Sequence, residues 1–360
     1  MNALDLEPFG MKNVIMAVES DGGERAFGSR LRRKCIKTYV AQAKWVWHRL
    51  PDVLRNSAIG NAYAQYLDRT VRRCSNRKQF VATFFLRNRP ELQLLIRLLQ
   101  DRPSGSSVNI AVMACSKGAE VYSFVWAVRS ARPDLKLSVN AVDISEEILD
   151  FARNGMYSLE RGDASRPISR KASESDRLIE RSTSQDQNAW MFERMTSDEM
   201  RAMFKIEAGI ATVKPDLRAG ISWFCGDAGD PQLQALLGAH DIVLANRFLC
   251  HMKPEAAAKC LRNVAGLVKP GGFLFVTGID LDVRTQIASQ LQWRPVPDLI
   301  REIHDGDYSI RRGWPTEYWG LEPFDANRPD WKMRYASVFQ MPRSLPGRFL
   351  EPTVAESLRE

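Results

Sequence analysis

Two polar features follow apolar runs at positions where a small ligand can be held. An apolar run at residues 108–114 leads into a tight polar turn at residues 115–118, after which a helical pattern begins. A second apolar run ends in Asp143. Gly118 in the turn lets the backbone approach a ligand closely, and free N–H groups at a helix start attract a carboxylate or phosphate. A carboxylate at the end of the second strand is positioned to accept hydrogen bonds from both hydroxyls of a ribose.

The number of glycines in this turn narrows the choice of ligand. A dinucleotide-binding fingerprint has three glycines, which let the backbone approach a pyrophosphate closely. Only Gly118 is present here, so the turn lacks the space that a pyrophosphate needs. This pattern favours an adenosine ligand that lacks a pyrophosphate, and S-adenosylmethionine is the leading candidate. A plain α/β unit whose turn is merely tight is the alternative interpretation.

Length and composition favour a soluble, cytoplasmic protein. The 360 residues, 44% hydrophobic and 26% charged, suffice for one large α/β domain and a smaller appendage. No apolar stretch is long enough to span a bilayer, and the N-terminus has no apolar signal core. The six cysteines and four histidines are scattered along the chain, which predicts reduced thiols and no metal site.

The positive charge is concentrated near the N-terminus. Residues 25–90 hold sixteen Lys or Arg against two acids, a net charge of +14. The rest of the chain carries 35 bases and 41 acids, a net charge of −6. This asymmetry predicts an acidic partner, which can be a negatively charged protein surface, nucleic acid or anionic lipid. A solvated basic face without a dedicated partner is the alternative.

Three segments resemble motifs of the chemotaxis-receptor (CheR-type) glutamate methyltransferases. Residues 113–123, Met-Ala-Cys-Ser-Lys-Gly-Ala-Glu-Val-Tyr-Ser, are similar to the family's first motif, small-small-Ser-x-Gly-Glu-Glu-Pro-Tyr-Ser. Residues 83–87, Thr-Phe-Phe-Leu-Arg, are similar to the family's Thr-x-Phe-Phe-Arg. Residues 140–144, Asn-Ala-Val-Asp-Ile, and the helix end at residues 149–157 resemble the family's Asp-Ile segment and the helix after it. The resemblance covers roughly residues 30–280, with the motifs in the family's order.

The resemblance implies a divergent S-adenosylmethionine-dependent methyltransferase with a class I, Rossmann-like α/β sheet. It implies that Thr83 and Arg87 hold the cofactor carboxylate and that Glu120 accepts a hydrogen bond from its ammonium group. It also implies that Asp143 binds the ribose and that Asp227 lies near the adenine amino group. The implied cofactor-binding residues are Thr83, Arg87, Ala114, Gly118, Glu120, Asp143, Ile144, Asp227, Ala228 and Asn246.

Each implied contact has a plainer alternative. Asp143 can be an ordinary strand-end acid, and Glu120 can be a first-turn acid that complements the helix dipole. Asp227 can cap a helix that begins near residue 231. Thr83 and Arg87 can be surface residues of a basic helix.

The segment after the predicted strand at residues 241–245 departs from the family. The family has Cys-Arg-Asn-x-x-x-Tyr-Phe there, whereas residues 245–252 read Ala-Asn-Arg-Phe-Leu-Cys-His-Met. Asn and Arg exchange their order, and His251 stands at the position of the tyrosine. Arg247 can still neutralise an acidic acceptor, and His251 can orient it or accept a proton, so these two are the predicted catalytic residues. For His251, a packed residue at the entry to a helix is the alternative.

The chain is expected to consist of one methyltransferase domain with appended segments. Short strands predicted within residues 204–223 match the position of the family's small β-subdomain, which tethers receptor tails. An aromatic-rich stretch at residues 314–324, followed by Trp331 and Tyr335, either forms a wall of the acceptor site or covers the sheet edge. The expected segments are a disordered tail at 1–24, a basic helical subdomain at 25–90, the methyltransferase domain at 91–341, a mobile loop in it at 161–188 and a disordered tail at 342–360.

The expected reaction is direct in-line methyl transfer to a protein carboxylate, with the basic helices docking an acidic, helical, receptor-like protein. RNA methylation is a second hypothesis, because Trp45 and Tyr63 lie among basic residues that suit a phosphate backbone. It is disfavoured because no Asn/Asp-Pro-Pro-aromatic sequence follows the strand at residues 241–245. Methylation of a small molecule and a non-catalytic adaptor that binds S-adenosylmethionine are the remaining alternatives.

Overall fold

The computed structural model describes residues 83–159, 189–306, 322 and 324–343, together with scattered positions between 39 and 67. The chain divides into two compact units, Met1–Asn76 and Arg77–Glu360. The predicted tail at 1–24, the loop at 161–188 and nearly all of the tail at 342–360 lie outside the described residues.

The first unit is helical where it is described. Helical residues lie on both sides of Pro51, and helix α1 spans Asp52–Arg55. Trp47 is buried, whereas Trp45 is exposed, so the aromatic residues of this unit are divided between interior and surface. The unit ends at Asn76, and the basic helical subdomain expected at residues 25–90 stays a prediction.

The second unit is built on a seven-stranded sheet in the order β6-β2-β1-β7-β8-β10-β9. Neighbouring strands are parallel except at β10, which is antiparallel to both β8 and β9. The order reverses at the β1–β7 pair, which is the position where open α/β sheets bind ligands. The predicted Rossmann-like α/β sheet is confirmed. The strands are β1 Ser107–Met113, β2 Lys136–Asp143, β3 Met156–Ser158, β4 Phe204–Glu207, β5 Ile210–Val213, β6 Ile221–Cys225, β7 His240–Asn246, β8 Val268–Thr277, β9 Arg294–Pro295 and β10 Val338–Gln340.

Local capping explains where several helices of the second unit begin. The Asn88 side chain accepts a hydrogen bond from the backbone of Glu91, and Ser145 does the same for Ile148. No described helix is both long enough and apolar enough to cross a membrane. The helices are α2 Arg89–Leu99, α3 Ala119–Ala131, α4 Glu146–Asn154, α5 Ser197–Met203, α6 Pro215–Arg218, α7 Leu233–Leu237, α8 Pro254–Ala265, α9 Leu281–Gln290, α10 Ile300–Asp305 and α11 Trp331–Tyr335.

A second, antiparallel sheet in the order β3-β5-β4 lies beside the main sheet. The sequence predicts short strands in residues 204–223, but this small sheet takes only β4 and β5 from that stretch. Residues 221–223 instead begin β6, which pairs in parallel with β2. Residues 269–272 lie within β8, where the register with β7 is irregular.

Both faces of the main sheet are buried, which explains its nearly continuous apolar strands. Side chains alternate between faces along β1, with Ile110 and Val112 in one apolar cluster and Ala111 and Met113 in the other. The sheet is therefore a rigid platform, and its strand ends hold any side chains that follow them.

Candidate functional site

The predicted site residues lie around one edge of the main sheet. They follow the carboxyl ends of β1, β2, β6 and β7, four strands that run in the same direction. Two more precede α2, the helix that leads into β1. By position they are Thr83 and Arg87 before α2; Ala114, Gly118 and Glu120 after β1; Asp143 and Ile144 at the end of β2; Asp227 and Ala228 after β6; and Asn246, Arg247 and His251 after β7.

The turn after β1 is strained and tightly packed. Ala114, Ser116 and Gly118 have φ angles of 52°, 51° and 81°. This left-handed conformation is unfavourable for any residue that carries a Cβ. A Cβ at Gly118 would lie 3.1 Å from both Ala152 Cβ and Tyr122 Cε2. A side chain at position 118 would therefore be both strained in its backbone conformation and crowded by these neighbours.

Asp143 links the end of β2 to this turn. Its Oδ2 accepts a hydrogen bond from the Ser116 backbone N–H at 2.8 Å, and its Oδ1 accepts one from Ser145 at 3.2 Å. Burial raises the pKa of the Asp143 carboxyl group, and these hydrogen bonds oppose the rise. The backbone of Ile144 also donates to this carboxylate, and since its two oxygens have four lone pairs in total, it can accept a further hydrogen bond.

Asn246 joins two carboxylates behind the turn. Its Nδ2 lies 2.7 Å from Glu120 Oε1 and 2.7 Å from Glu91 Oε1. Its Oδ1 accepts hydrogen bonds from Thr277 N at 3.1 Å and Thr277 Oγ1 at 2.9 Å. The backbone N–H of Thr277 can only donate, so the amide orientation is fixed. The side chain of Asn246 thus makes all its polar contacts within the protein.

Two guanidinium groups act on Glu120. Burial raises the pKa of Glu120, and the positive charges of Arg87 and Arg247 oppose that rise, as does the hydrogen bond from Asn246. Arg247 is half-buried and has a φ of 61°, and its backbone N–H donates to Thr277 O at 2.9 Å. The site therefore combines the negative charge of the half-buried Glu120 with two cations.

Thr83 and Arg87 belong to a non-helical segment packed on α3. Thr83 is buried and Arg87 is half-buried, so neither is a surface residue of a basic helix. The backbone N–H of Leu86 donates to Ser123 Oγ at 2.9 Å, and that hydroxyl donates to Ala119 O at 2.6 Å. The segment is thereby fixed to the first turns of α3, close to Glu120.

The residues after β6 form a turn of their own. Asp227 is exposed, and its Oδ1 accepts a hydrogen bond from Gly229 N at 2.7 Å. Helix α7 begins only at Leu233, so Asp227 stabilises this turn and does not cap that helix. Ala228 is buried, whereas Ile144 at the end of β2 is 57% exposed.

Lys117 precedes Gly118 in the turn after β1. Its side chain is buried, with Nζ 5.5 Å from the centre of the Phe151 ring, and burial lowers its pKa to about 8. Tyr157 donates a hydrogen bond to the Lys117 carbonyl oxygen at 2.6 Å. The Lys117 side chain thus packs against α4.

The chain segment between β9 and β10 packs beside α2. Asn88 Nδ2 donates to Ile303 O at 2.8 Å, which joins α10 to the start of α2. Glu322 accepts hydrogen bonds from Arg334 Nη2 at 2.8 Å and from Tyr335 Oη at 2.9 Å. Tyr335 is buried, and residues 314–321 of the aromatic stretch lie outside the described part of the chain.

Sequence reasoning missed Glu91, Ser145 and Thr277. Glu91 has the position of an ordinary first-turn helix acid, and Ser145 that of an ordinary helix cap. The only signal for Thr277 was its place at the end of a strand beside the one that carries Asn246.

Comparison with known proteins gives two matches to family models. The model "CheR methyltransferase, SAM binding domain" matches residues 82–175, and the model "Methyltransferase domain" matches residues 195–276. Chemotaxis protein methyltransferase 1 of Vibrio cholerae is 25% identical over 175 residues, which are 47% of this chain. The match spans 52% of that relative's length.

Solved structures of methyltransferases are also similar, at low identity. An O-methyltransferase family protein from Burkholderia thailandensis is 14% identical with a TM-score of 0.31, over 88% of this chain and 72% of that one. Magnesium protoporphyrin IX methyltransferase from Synechocystis, solved with bound SAM, is 11% identical with a TM-score of 0.30, over 73% of this chain and 87% of that one. The fold assignment rests on the strand order of the main sheet.

The sheet and the family models identify a class I methyltransferase fold with a SAM-binding domain in this chain. The resemblance to the CheR-type methyltransferases is confirmed through the SAM-binding domain, and the second family model is consistent with a divergent branch. S-adenosylmethionine is the cofactor.

The side chains at the sheet edge suit this cofactor. A zwitterionic amino acid needs an anion for its ammonium group and a cation for its carboxylate, and Glu120 and Arg87 supply such a pair. The strand-end carboxylate of Asp143 suits the hydroxyls of a ribose. Among the described residues, no three His, Cys, Asp or Glu side chains are arranged to hold a metal ion.

Proposed function

We propose that this methyltransferase transfers a methyl group to a carboxylate of an acidic protein. The observation that carries the proposal is the position of Arg247, a half-buried cation at the carboxyl end of β7 whose charge acts on Glu120. A cation beside the cofactor pocket can hold an acceptor carboxylate by a charge-assisted hydrogen bond.

The cofactor contacts form the first part of the proposal. Arg87 and Thr83 hold the cofactor carboxylate, Glu120 holds its ammonium group, and Asp143 holds the ribose. Ala114, Gly118 and Ile144 line the same edge, and Asp227 and Ala228 lie at the adenine end. Asn246 contributes by fixing Glu120, since both of its N–H donors are used.

The charge of the chain supports a protein acceptor. The segment at residues 25–90 has a net charge of +14 and suits an acidic, helical, receptor-like partner. The Vibrio cholerae relative is a chemotaxis methyltransferase by name, and the proposal extends such a signalling role in the cytoplasm to this chain.

The proposed chemistry is direct in-line transfer. S-adenosylmethionine supplies an electrophilic methyl group on its sulfonium. Arg247 orients the acceptor carboxylate, and the half-buried His251 orients the acceptor from the short turn of helix at Leu249–His251. A carboxylate is already ionised at neutral pH, so the residues need only orient and desolvate it, which can supply about 7–11 kcal/mol.

The chemical stability of the product tests the acceptor class. The purified protein is incubated with a radiolabelled methyl donor and lysate from the source organism, and labelled protein is then treated with alkali. We expect volatile labelled methanol, because methyl esters of carboxylates hydrolyse in base. Label that survives alkali, or that enters RNA or small molecules instead of protein, contradicts the proposal.

Substitution of Arg247 tests whether this residue contributes to methyl transfer without contributing to cofactor binding. Arg247→Ala is expected to lower transfer by about 100-fold, the size of effect that loss of orientation causes. Its affinity for S-adenosylhomocysteine should stay within about threefold of wild type. Arg262→Ala is the matched control, since Arg262 lies on α8 and contacts Gln290 at 3.1 Å. Equal loss in both variants, or none in either, removes Arg247 from the acceptor site.

A further inference from the structure

Exposed apolar side chains are concentrated in the first unit. Of the ten large apolar side chains that are exposed among the described residues, six lie between residues 45 and 66. Single exposed apolar residues are normal on a protein surface, whereas a concentration of them marks an interaction site. The five within residues 45–59 are called the apolar stretch here: Trp45, Val46, Val53, Leu54 and Ile59.

Trp45 and Val46 lie on the solvent-facing side of a helical segment. The described residues between 39 and 49 are helical, and positions 42, 45, 46 and 49 are exposed whereas 43 and 47 are buried. This spacing is that of one helix face, so the segment buries Ala43 and Trp47 and presents Trp45 and Val46 to solvent. The Arg49 guanidinium carbon lies 3.8 Å from the centre of the Trp45 ring, so a cation and an aromatic ring share this face.

The aliphatic members of the apolar stretch follow in two further turns. The backbone N–H of Leu54 donates to Pro51 O at 3.0 Å, and the N–H of Gly60 donates to Ser57 Oγ at 3.1 Å, so the chain stays compact here. Val53 on α1 is 82% exposed and Ile59 is 80% exposed.

Side chains that protrude in this way suit a fluid lipid phase. Lipid chains can close around them, whereas a folded protein partner must supply a matching pocket for each one. Aliphatic side chains also cannot stack on bases, which disfavours a nucleic acid as the occupant.

Positive charge accompanies the apolar stretch. Residues 37–59 contain four Lys or Arg and one acid, Asp52, and they lie within the segment of net charge +14. The anionic surface of a bilayer attracts such a segment, and tryptophan and arginine are favoured at the level of the headgroups because each has an apolar body and a polar end.

We infer that the apolar stretch docks on the surface of an anionic lipid bilayer. Trp45, Val53 and Ile59 insert at the level of the headgroups, and the positive charge of the segment is attracted to the lipid phosphates. This inference goes beyond the proposed function and does not depend on the identity of the methyl acceptor.

Sedimentation of the full chain with lipid vesicles tests the inference. Vesicles of phosphatidylcholine are compared with vesicles in which roughly one third of the lipid is phosphatidylglycerol. We expect binding to the anionic vesicles that is at least about tenfold stronger than to phosphatidylcholine alone, and that weakens at least about tenfold between about 0.1 M and about 1 M salt. The double variant Val53→Ser, Ile59→Ser should bind the anionic vesicles at least about tenfold more weakly, because two aliphatic side chains no longer leave water.

The matched control is the double variant Ile206→Ser, Leu236→Ser, which removes two exposed apolar side chains from the second unit. It should bind the anionic vesicles as the wild type does. Both double variants should keep the urea midpoint of the wild type, because all four positions are exposed.

Fluorescence distinguishes insertion from adsorption by charge alone. The chain has nine tryptophans, so the difference between the wild type and Trp45→Phe isolates the signal of Trp45. Brominated phosphatidylcholine in the anionic vesicles should quench this signal. Equal vesicle binding by the two double variants, or no quenching of Trp45, overturns the inference. If Val53→Ser, Ile59→Ser instead binds vesicles normally and loses methyl transfer to a protein acceptor, the apolar stretch contacts that protein and the inference is also overturned.

Discussion

The Asp143 carboxylate at the end of β2 accepts a hydrogen bond from the backbone N–H of Ser116, in the turn after β1, at 2.8 Å. Ser116 has a φ of 51°, so the carboxylate holds a strained backbone in place. The same acid is therefore a structural support of the glycine turn as well as a candidate ribose ligand. Substitution of Asp143 should therefore lower both the stability of the fold and the affinity for the cofactor.

Asp143→Ala should lower the free energy of unfolding by about 2–3 kcal/mol, because two backbone donors lose a charged acceptor. The affinity for S-adenosylhomocysteine should fall at least tenfold, since about 1.4 kcal/mol of binding free energy corresponds to that factor. Urea unfolding and calorimetry measure the two effects. Asp150→Asn, at an exposed pair with Arg153, is the control and should change either quantity by less than about 0.5 kcal/mol. Unchanged affinity in Asp143→Ala would remove this residue from the cofactor site.

Alanine substitutions at two glycines with similar positive φ angles distinguish the cost of backbone strain from the cost of steric crowding. Gly105 has a φ of 76° and open space where a Cβ would be, whereas Gly118 has a φ of 81° and neighbours at 3.1 Å. Gly105→Ala should cost about 1 kcal/mol of stability for the left-handed conformation. Gly118→Ala should cost about 1–3 kcal/mol more, because α3 and α4 must move apart. Equal urea midpoints for the two variants would show that the turn relaxes without cost.

The elements that carry the glycine turn were predictable from local pattern. Each buried strand reads as an apolar run, so the run at residues 108–114 lies within one residue of the observed ends of β1, and β2 ends at Asp143 as predicted. Parallel strands with short connections bring their carboxyl ends to one edge, and Asp143 and Gly118 meet there for that reason. Such features need no knowledge of distant contacts.

The buried network behind the turn could not be predicted in this way. Glu91 and Asn246 are 155 positions apart in the chain, and Glu91 alone has the pattern of a helix acid. Residues 221–225 follow two short strands of the small sheet, and only pairing with β2 assigns them to the main sheet. In both cases the deciding contact joins residues that are far apart in the chain, so the local pattern of apolar residues does not reveal it.

The ion pair between Arg89 and Glu199 joins α2 to α5 and should make stability depend on pH. Arg89 holds the pKa of Glu199 at about 2, below its ordinary value of 4.5. A lowered pKa in the folded state stabilises the protein above pH 4.5, and this contribution is lost as the pH falls from about 5 towards 2. Since Arg89 is 45% exposed, we expect only about 1 kcal/mol at pH 7.

Glu199→Gln isolates this charge, because glutamine can still complete the capping box with Thr196. Urea unfolding should show the variant about 1 kcal/mol less stable at pH 7, with less than half of that difference left at pH 3. Asp198→Asn, at an 88% exposed position, should change stability little at either pH. A difference that stays constant with pH would mean that the pair contributes no charge-dependent stability.

Gly278 supports the backbone of Arg247, and its substitution should impair transfer without impairing cofactor binding. A Cβ at Gly278 would lie 2.5 Å from Arg247 Cα, which no side-chain rotation can relieve. Gly278→Ala must therefore shift the segment that carries the proposed acceptor cation. Transfer of labelled methyl groups should fall at least tenfold, since a displacement of about 1 Å at a reacting group can cost about 100-fold.

Gly271→Ala is the matched control for this prediction. Gly271 lies on β8, has a φ of 75° and would place its Cβ 3.5 Å from the Arg343 side chain, an ordinary contact distance. Both variants are therefore destabilised by the left-handed conformation, but only in Gly278→Ala does the new Cβ collide with backbone atoms. Affinity for S-adenosylhomocysteine should stay within about threefold of wild type in both, because neither glycine lies beside Asp143 or the glycine turn. If Gly278→Ala transfers methyl groups as fast as Gly271→Ala, the position of the Arg247 backbone does not govern the reaction, and the acceptor must be held by other residues.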